Sequence, residues 1–309
     1  MTHKLSLVVA TKDRPVDLRN LLESLRKQSR TPHEVIIVDA SDSPVGRVAK
    51  EFPELPILYL RHFPPSAASQ RNRGIEAAHP SATLIGFVDD DTIFDPDAFE
   101  HMLDFWENAG PDIMGASFNL QNYPSRPKSR FKNSVFAERL GLYSRTPGSV
   151  SRSGWQAIVD RVTATGFVEW IPSTAAVFRR EVFSNDLFDS FYDSYSYLED
   201  LDLSYSVSRS GRLAIVASAG FRHFPSSSGR ISPRQFGRLE VRNRLYFVRK
   251  HGLSIWRCCL GLGIRLAMTM WTTVKELDMK MFARSMGNCE EALRQVKSVL
   301  SSNRRRITA

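Results

Sequence analysis

Cysteine is scarce in this chain: Cys258 and Cys259 are adjacent, Cys289 stands apart, and no CxxC pair occurs. That pattern excludes a thiolate zinc site and a disulfide framework, and reduced thiols fit a cytoplasmic protein. Long apolar runs are also missing. The most apolar late stretch, Ile255 to Trp271, is interrupted by Arg257 and Arg265 and is too short and too charged for a membrane span. Met1-Thr2-His3-Lys4 runs at once into a strand-like segment, so no signal peptide is expected. There is no internal repeat. No helix-turn-helix, zinc or RNP-like signature accompanies the basic residues, which counts against nucleic-acid binding.

What is present is an ordinary globular composition, 42% apolar and 24% charged over 309 residues, enough for one large domain or a domain plus an appendage. The net charge of +9 is unevenly placed. Residues 1–224 hold 25 basic against 28 acidic residues, a net −3, whereas residues 225–309 hold 17 against 5, a net +12. A near-neutral body with a basic tail region implies an anionic partner for the tail: a membrane surface, a phosphorylated acceptor or nucleic acid.

Leu5 to Ala10 reads as a buried strand, and Pro15 opens a helix whose Val16, Leu18, Leu21, Leu22 and Leu25 share one face. Strands follow at 34–39 and 57–60, and a helix over about 69–78 precedes a strand at 84–88. This alternation indicates βαβ units and a mainly parallel sheet. Its turns are polar (Thr11-Lys12-Asp13-Arg14, Asp39-Ala40-Ser41-Asp42 and Asp89-Asp90-Asp91) and should lie along one edge. A helix over 96–108 and a strand over 113–117 come next, and then 118–165 reads as a long insertion rich in Arg, Lys, Ser, Asn and Pro. Strands at 168–172 and 175–178, a helix over 197–210 and a strand at 213–217 lead to His223. Residues 225–230 form a loop by composition, and the remainder is helical and basic.

Three consecutive carboxylates at a strand's carboxyl end repel one another, and a bound cation relieves that repulsion. Open α/β sheets bind ligands at this same end. A divalent metal carrying a phosphorylated ligand is one reading of the triplet. An acidic turn that also begins the next helix, at Asp95-Pro96-Asp97, is the other.

Taken in order, Val8 to Pro15, Val35 to Asp39, Gln70 to Ile75, Phe87 to Asp91, Leu198 to Leu203 and His223 resemble the inverting GT-A glycosyltransferases of family 2, in the style of bacterial rhamnosyl- and galactofuranosyltransferases. The resemblance covers roughly residues 4–225. It implies an α/β GT-A fold: a Rossmann-like, mainly parallel sheet flanked by helices, with a basic helical C-terminal region. The catalytic domain would span 1–224, with a nucleotide-sugar half (1–117), a variable insertion (118–165) and an acceptor and catalytic half (166–224), followed by the basic region 225–309. The implied activity is metal-dependent, inverting transfer of a hexosyl or deoxyhexosyl group from a UDP- or dTDP-linked donor to a saccharide or lipid-linked acceptor. Such an enzyme would serve cell-surface polysaccharide synthesis in the cytoplasm or at the inner face of the membrane.

The resemblance also assigns roles. Asp91 would bind Mn²⁺ or Mg²⁺, Asp89 the metal or the ribose, and His223 would complete the metal shell, with Asp90 in the donor site and unassigned. Asp39 would read uracil or thymine, with Thr11 and Arg14 lining the nucleotide pocket and Arg71 (or Arg73) holding diphosphate oxygens. Asp200 would be the general base and Glu199 would orient the acceptor. Glu169 and Trp170 would border the acceptor, and the loop from Ser226 to Arg230 would fold over the diphosphate. Bland readings stand beside these: turn capping for Asp39, a salt bridge for Arg71, a structural role for His223 and core packing for Trp170. Glu199, Asp200 and Asp202 could simply stabilise a helix N-terminus.

Two departures from the family pattern occur. Thr92 stands where an acid is common after the triplet, and Ser204-Tyr205-Ser206 replaces the usual Arg or Trp of the Glu-Asp helix. The competing functions are a nucleotidyltransferase, against which the glycine-free first turn counts, and a non-catalytic membrane-surface or nucleic-acid module. The basic helices beyond Gln235, with Trp256, Leu260, Leu262, Leu266 and Trp271, fit interfacial membrane attachment better than nucleic acid. Plain packing of those helices is the alternative.

Overall fold

A computed structural model describes residues 3–122, 129–185, 187–192, 195–226 and 230–307, with the backbone alone from 299 onward. The chain separates into two compact units: Met1–Pro127 with Thr146–Ser149 and Gln156–Gly229, and Lys128–Arg145 with Val150–Trp155 and Arg230–Ala309. The segment 118–165 is therefore not one body, because its middle packs with the C-terminal helices.

The first unit is built on one nine-stranded sheet. Its elements in chain order are β1 (Leu5–Thr11), α1 (Pro15–Arg26), β2 (Glu34–Asp39), α2 (Gly46–Ala49), β3 (Ile57–Arg61), α3 (Ala67–Ala77), β4 (Leu84–Asp89), β5 (Thr92–Phe94), α4 (Ala98–Asn108) and β6 (Ile113–Leu120). After α5 (Val135–Arg139), which belongs to the second unit, come β7 (Gly166–Val168), β8 (Ala175–Arg179), α6 (Glu199–Val207) and β9 (Arg212–His223). The strand order is β3-β2-β1-β4-β8-β6-β9-β5, with β7 also on β9. The four strands β3, β2, β1 and β4 are all parallel, the βαβ half anticipated from the alternation, and the far half is mixed. This is the GT-A arrangement, a mixed α/β fold with a mostly parallel central sheet.

Strand alternation sends Leu5, Leu7 and Val9 to one face and Val8 to the other. The first face packs under α1 and α4 through Leu18, Leu21, Leu22, Phe99, Met102 and Trp106; the second packs under α3 and α6 through Ala68, Leu203 and Val207. Gly74 lets α3 lie directly on β1, since a Cβ there would stand 2.3 Å from Val8 Cγ1. Register makes the strand ends level, with Thr11 opposite Asp39 and Ala10 opposite Asp89. The polar turns therefore share one edge, as expected.

Two strands differ from the sequence reading. β9 runs to His223 instead of stopping near 217, through a register shift where Phe118 and Asn119 face Val216 and Gly220. Gly220 lies where a Cβ would meet Asp95 Oδ2 at 2.2 Å, so the missing side chain lets the strand continue. The expected strand at 168–172 is only β7, and Trp170 instead leaves the sheet to bond Ala157.

The second unit comprises α5, α7 (Pro233–Lys250), α8 (Ile255–Glu276) and α9 (Met279–Ile307). Ser232 and Gln235 form a reciprocal capping box that starts α7. Gly237 and Gly287 let α7 and α9 approach backbone to backbone; a Cβ on either would stand about 2 Å from the other helix's carbonyls. No helix among the described residues is long and apolar enough to cross a membrane.

Candidate active site at the carboxyl edge of the sheet

The triplet at the end of β4 is divided among different partners. Asp89 Oδ1 accepts from Arg71 Nη2 at 2.9 Å. Asp90, 2% exposed, accepts from Thr11 Oγ1 at 2.7 Å and Arg14 Nη1 at 3.0 Å. Asp91, 8% exposed, accepts from the Ser226 N–H at 3.0 Å and lies 3.4 Å from Arg14. Burial pushes the Asp90 carboxyl up to about 7 despite Arg14 and Thr11. Burial works the same way on Asp91, but the His223 and Ser226 donors outweigh it and hold that carboxyl below its usual value.

His223 reaches the triplet because β5 pairs antiparallel with β9, setting Thr92 opposite His223. Its Nε2 stands 2.9 Å from Asp91 Oδ1, yet Oδ1 has no aligned hydrogen-bond donor among the described residues. The imidazole and the carboxylate face each other directly. Asp89, Asp91 and His223 each offer a ligand atom, all within 4.8 Å of one another. This is a fitting donor set for a divalent cation, and a mixed carboxylate–imidazole shell suits Mn²⁺. Burial disfavours the charged imidazole, but the adjacent Asp91 carboxylate overrides it and raises the His223 pKa.

The run Gln70-Arg71-Asn72 on α3 performs three different tasks. Gln70 donates to the Thr11 and Val38 carbonyls at 3.0 and 2.7 Å, tying β1 to β2. Arg71, 6% exposed, spans from Asp89 to Glu199 Oε1 at 2.9 Å and lies over the Phe188 ring at 5.3 Å. Asn72 exchanges two hydrogen bonds with the Phe188 backbone. The Arg71 guanidinium holds two carboxylates, the salt bridge that stood beside the diphosphate reading. Arg73 instead pairs with Glu76 on the surface.

Glu199 and Asp200 open α6 directly after Leu198, a buried non-glycine residue at φ 75°, a backbone position held only where surrounding contacts impose it. Asp200 is half-buried; its Oδ1 accepts the Leu201 N–H at 2.7 Å. Burial first, and then the Glu199 charge, raise the Asp200 carboxyl to about 7. Ser204, at a position where the family differs, accepts from the Ile171 N–H at 3.2 Å and so joins the segment carrying Trp170 to α6. Trp170 donates to the Ala157 carbonyl and lines a cavity of about 190 Å³ with Ile158, Asp160, Thr174 and His223. Glu169 is exposed.

Asp39 makes the turn-capping contacts that stood beside the base-reading role. It is fully buried, and its carboxylate is occupied by the N–H groups of Ser41 and Val45, the Tyr59 hydroxyl and the Arg61 guanidinium. Burial alone would raise its pKa, but these donors together hold the carboxyl below its usual value. Tyr59 and Arg61 were not singled out from the sequence, although both follow the period-2 pattern of β3 that faces Asp39. Of the segment from Ser226 to Arg230, expected to fold over the diphosphate, residues 227–229 lie outside the described residues; Ser226 bonds Asp91 as above.

Three carboxylates, a histidine and two arginines thus gather at one edge of a sheet with the GT-A arrangement. Residues 6–184 match the model of glycosyl transferase family 2, and the chain belongs to that family. Two Bacillus subtilis (strain 168) proteins are similar to it. The uncharacterized glycosyltransferase YwdF is 35% identical over 131 residues, 41% of this chain and 48% of YwdF. The putative glycosyltransferase EpsH is 34% identical over 162 residues, 46% of each chain. The chain thus spans about half the length of these curated relatives. Among solved structures, S. aureus TarS 1-349 in complex with UDP-GlcNAc is similar in fold at TM-score 0.53 and 17% identity, covering 94% of this chain and 92% of that one. GalNAc-T7 with UDP, GalNAc and Mn²⁺ gives TM-score 0.56 at 14% identity, covering 78% and 48%.

Arg71 is buried between Asp89 and Glu199, so its removal leaves two carboxylates without their cation. Arg71→Ala should lower unfolding stability by about 3 kcal/mol, read as a reduced urea midpoint with unchanged slope. A midpoint within error of the wild type would show that the bridge contributes nothing.

Proposed function

We propose that this protein transfers a sugar, with inversion, from a UDP- or dTDP-linked donor to a saccharide or lipid-linked acceptor in cell-surface polysaccharide synthesis. One observation carries the reading: a single buried guanidinium joins Asp89, in the metal-type cluster, to Glu199, the neighbour of Asp200. This bridge supports reading Asp200 as the base and the acids at the end of β4 as the leaving-group side. UDP in TarS and UDP with Mn²⁺ in GalNAc-T7 support a uridine-linked donor.

Held by Asp89, Asp91 and His223, a divalent cation would act as a Lewis acid that neutralises the departing nucleoside diphosphate. The remaining steps fall to side chains. Asp39 would hold Tyr59 and Arg61 beside the base, while Thr11 and Arg14 hold Asp90 in place at the end of β4. An acceptor hydroxyl attacks the anomeric carbon opposite the leaving group and gives its proton to Asp200. Because Oδ1 already accepts the Leu201 N–H, Oδ2 is the receiving atom. A carboxyl raised to about 7 is a far better base at neutral pH than one near 4. Glu199, held by Arg71, orients the acceptor, and Trp170 offers a flat apolar face to its ring.

The helical unit presents a surface suited to an anionic lipid bilayer. Along α8 the apolar residues Trp256, Leu260, Met270, Trp271 and Val274 are exposed, while Cys258, Gly261 and Thr269 are buried, which inverts the usual amphipathic pattern. The stripe recurs at helical spacing, and residues 225–309 carry +12, which complements acidic headgroups.

Asp200→Asn should reduce turnover by roughly 10²- to 10⁴-fold while donor affinity, measured by calorimetry with UDP and Mn²⁺, is unchanged. In the wild type, kcat/KM should rise with pH through about 7, since below that value Asp200 holds a proton and cannot accept another. Normal turnover in Asp200→Asn would remove the assignment. For the lipid surface, the protein should co-sediment with vesicles containing phosphatidylglycerol but not with pure phosphatidylcholine, and Trp271→Ser should weaken the association. Equal sedimentation with both vesicles would contradict it.

A further inference from the structure

Within the helical unit, α7, α8 and α9 leave an apolar groove of about 490 Å³ among them. Val241 and Leu245 of α7, both buried, form its floor. Cys259, Leu262 and Leu266 of α8 stand along one side, and Ala292 and Val296 of α9 along the other. Each set recurs at three- or four-residue spacing, so one helix face lines each side. Ile255 and Val296 line the groove and are also exposed, so it opens on apolar surface. On α8 this face lies roughly 100° around the helix from Trp256, Leu260 and Trp271, which separates the groove from the exposed stripe.

Gly263, which also lines the groove, shows that the chain does not fill the opening itself. A Cβ there would meet no atom within 4 Å, whereas a Cβ on Gly261 would stand 2.7 Å from Trp155 Nε1. Glycine in a helix interior is unfavourable. Packing requires it at 261 but not at 263, where its effect is to keep the groove open.

Three polar side chains complete the lining. Asn288 gives its amide N–H groups to the Gly237 carbonyl and Glu240 at 2.8 and 3.2 Å, and its Oδ1 has no partner among the described residues, so the inner wall presents an acceptor. Gln295 donates to Glu291 at 2.8 Å; Glu291 is buried and does not line the groove. Arg249 is exposed, meets Gln295 at 3.3 Å and pairs with no carboxylate among the described residues. An anion is therefore disfavoured inside and favoured at the Arg249 end, in a region that carries +12. The three helices also pack on one another. Packed helices stand with axes about 8–10 Å apart, and a helix with its side chains is about 10–12 Å across. The gap suits a slim, flexible apolar chain, not a fourth helix from a partner or a second copy.

We propose that this groove holds one acyl chain of an anionic membrane lipid, with Arg249 meeting the phosphate of its head at the open end. The site does not depend on the transfer mechanism proposed above. It also goes beyond adsorption through the α8 stripe, because it takes one lipid per chain and needs no bilayer.

Calorimetric titration with lauroyl lysophosphatidylglycerol below its micelle concentration, at several temperatures, tests the site. One lipid should bind per chain with a negative heat-capacity change, the mark of apolar burial, and glycerol 3-phosphate, the head alone, should not bind. Gly263→Phe, which sets a ring at the opening, and Leu266→Asn, which makes the wall polar, should each weaken binding about tenfold or more. Arg249→Gln should weaken it about threefold, and Trp271→Ser should leave it unchanged. Removing a helix-interior glycine should leave the thermal midpoint of lipid-free Gly263→Phe unchanged or raised. In the wild type, lipid should slow alkylation of the exposed Cys259, located by mass spectrometry; Cys258 is buried, with its thiol pushed up to about 12, and does not compete. No binding, several lipids per chain, or binding and Cys259 protection that survive both groove substitutions would overturn the proposal. A wild-type dimer that Gly263→Phe converts to a monomer would assign the groove to a second copy and overturn it equally.

Discussion

Three carboxylates can stand in sequence at the end of β4 because each has its own cationic neighbour from a different element. Asp89 is held by Arg71 of α3, Asp90 by Arg14 of the first turn, and Asp91 by His223 of β9. Without those neighbours, adjacent buried acids would raise one another's pKa and lose their charge. The compensation is incomplete at one place. Asp90, the most enclosed of the three, is drawn toward a proton by burial, whereas Asp91 keeps its charge. The acid with the orphaned oxygen is also the acid that stays ionised, the combination a cation site requires.

The scaffold around the triplet follows from this distribution. Gln70, Arg71 and Asn72 point to three separate targets because successive residues on a helix project about 100° apart, and Gly74 lets the helix sit close enough for all three to reach. Arg71 connects the end of the parallel half of the sheet to the start of α6. The strained Leu198 and the Ser196 hydroxyl, which accepts the Ala68 N–H at 3.0 Å, fix that start against α3. Glu199 and Asp200 are consequently placed by the same helix that secures β1 and β2. The acceptor side joins through Ser204 and Ile171.

Much of this was legible in the residues. The parallel half, the level polar turns and the order of acidic and basic motifs follow from local periodicity and spacing, and His223 belongs to that ordered set. What escaped depends on tertiary context. A three-residue strand such as β5 has no periodicity to read, yet its pairing with β9 helps bring His223 to Asp91. The continuation of β9 rests on a bulge opposite Asn119, which no local pattern announces. The middle of 118–165 joins the helical unit through Tyr143 and Trp155, two aromatic residues in a polar stretch. Asp39 was visible as a strand-end acid, but its enclosure by Tyr59 and Arg61 comes from a neighbouring strand. Arg71 stood out in the residues, but that it bridges Asp89 and Glu199 depends on how α3 packs against β4 and α6.

The central claim is that Asp89, Asp91 and His223 hold a divalent cation beside a nucleoside diphosphate. An electron paramagnetic resonance titration of Mn²⁺ with UDP present addresses it directly, since free aqueous Mn²⁺ gives the sharp signal that binding removes. The wild type should take up one Mn²⁺ per chain, and Asp91→Asn should lose that uptake while remaining folded. Equal Mn²⁺ uptake by wild type and Asp91→Asn would contradict the account.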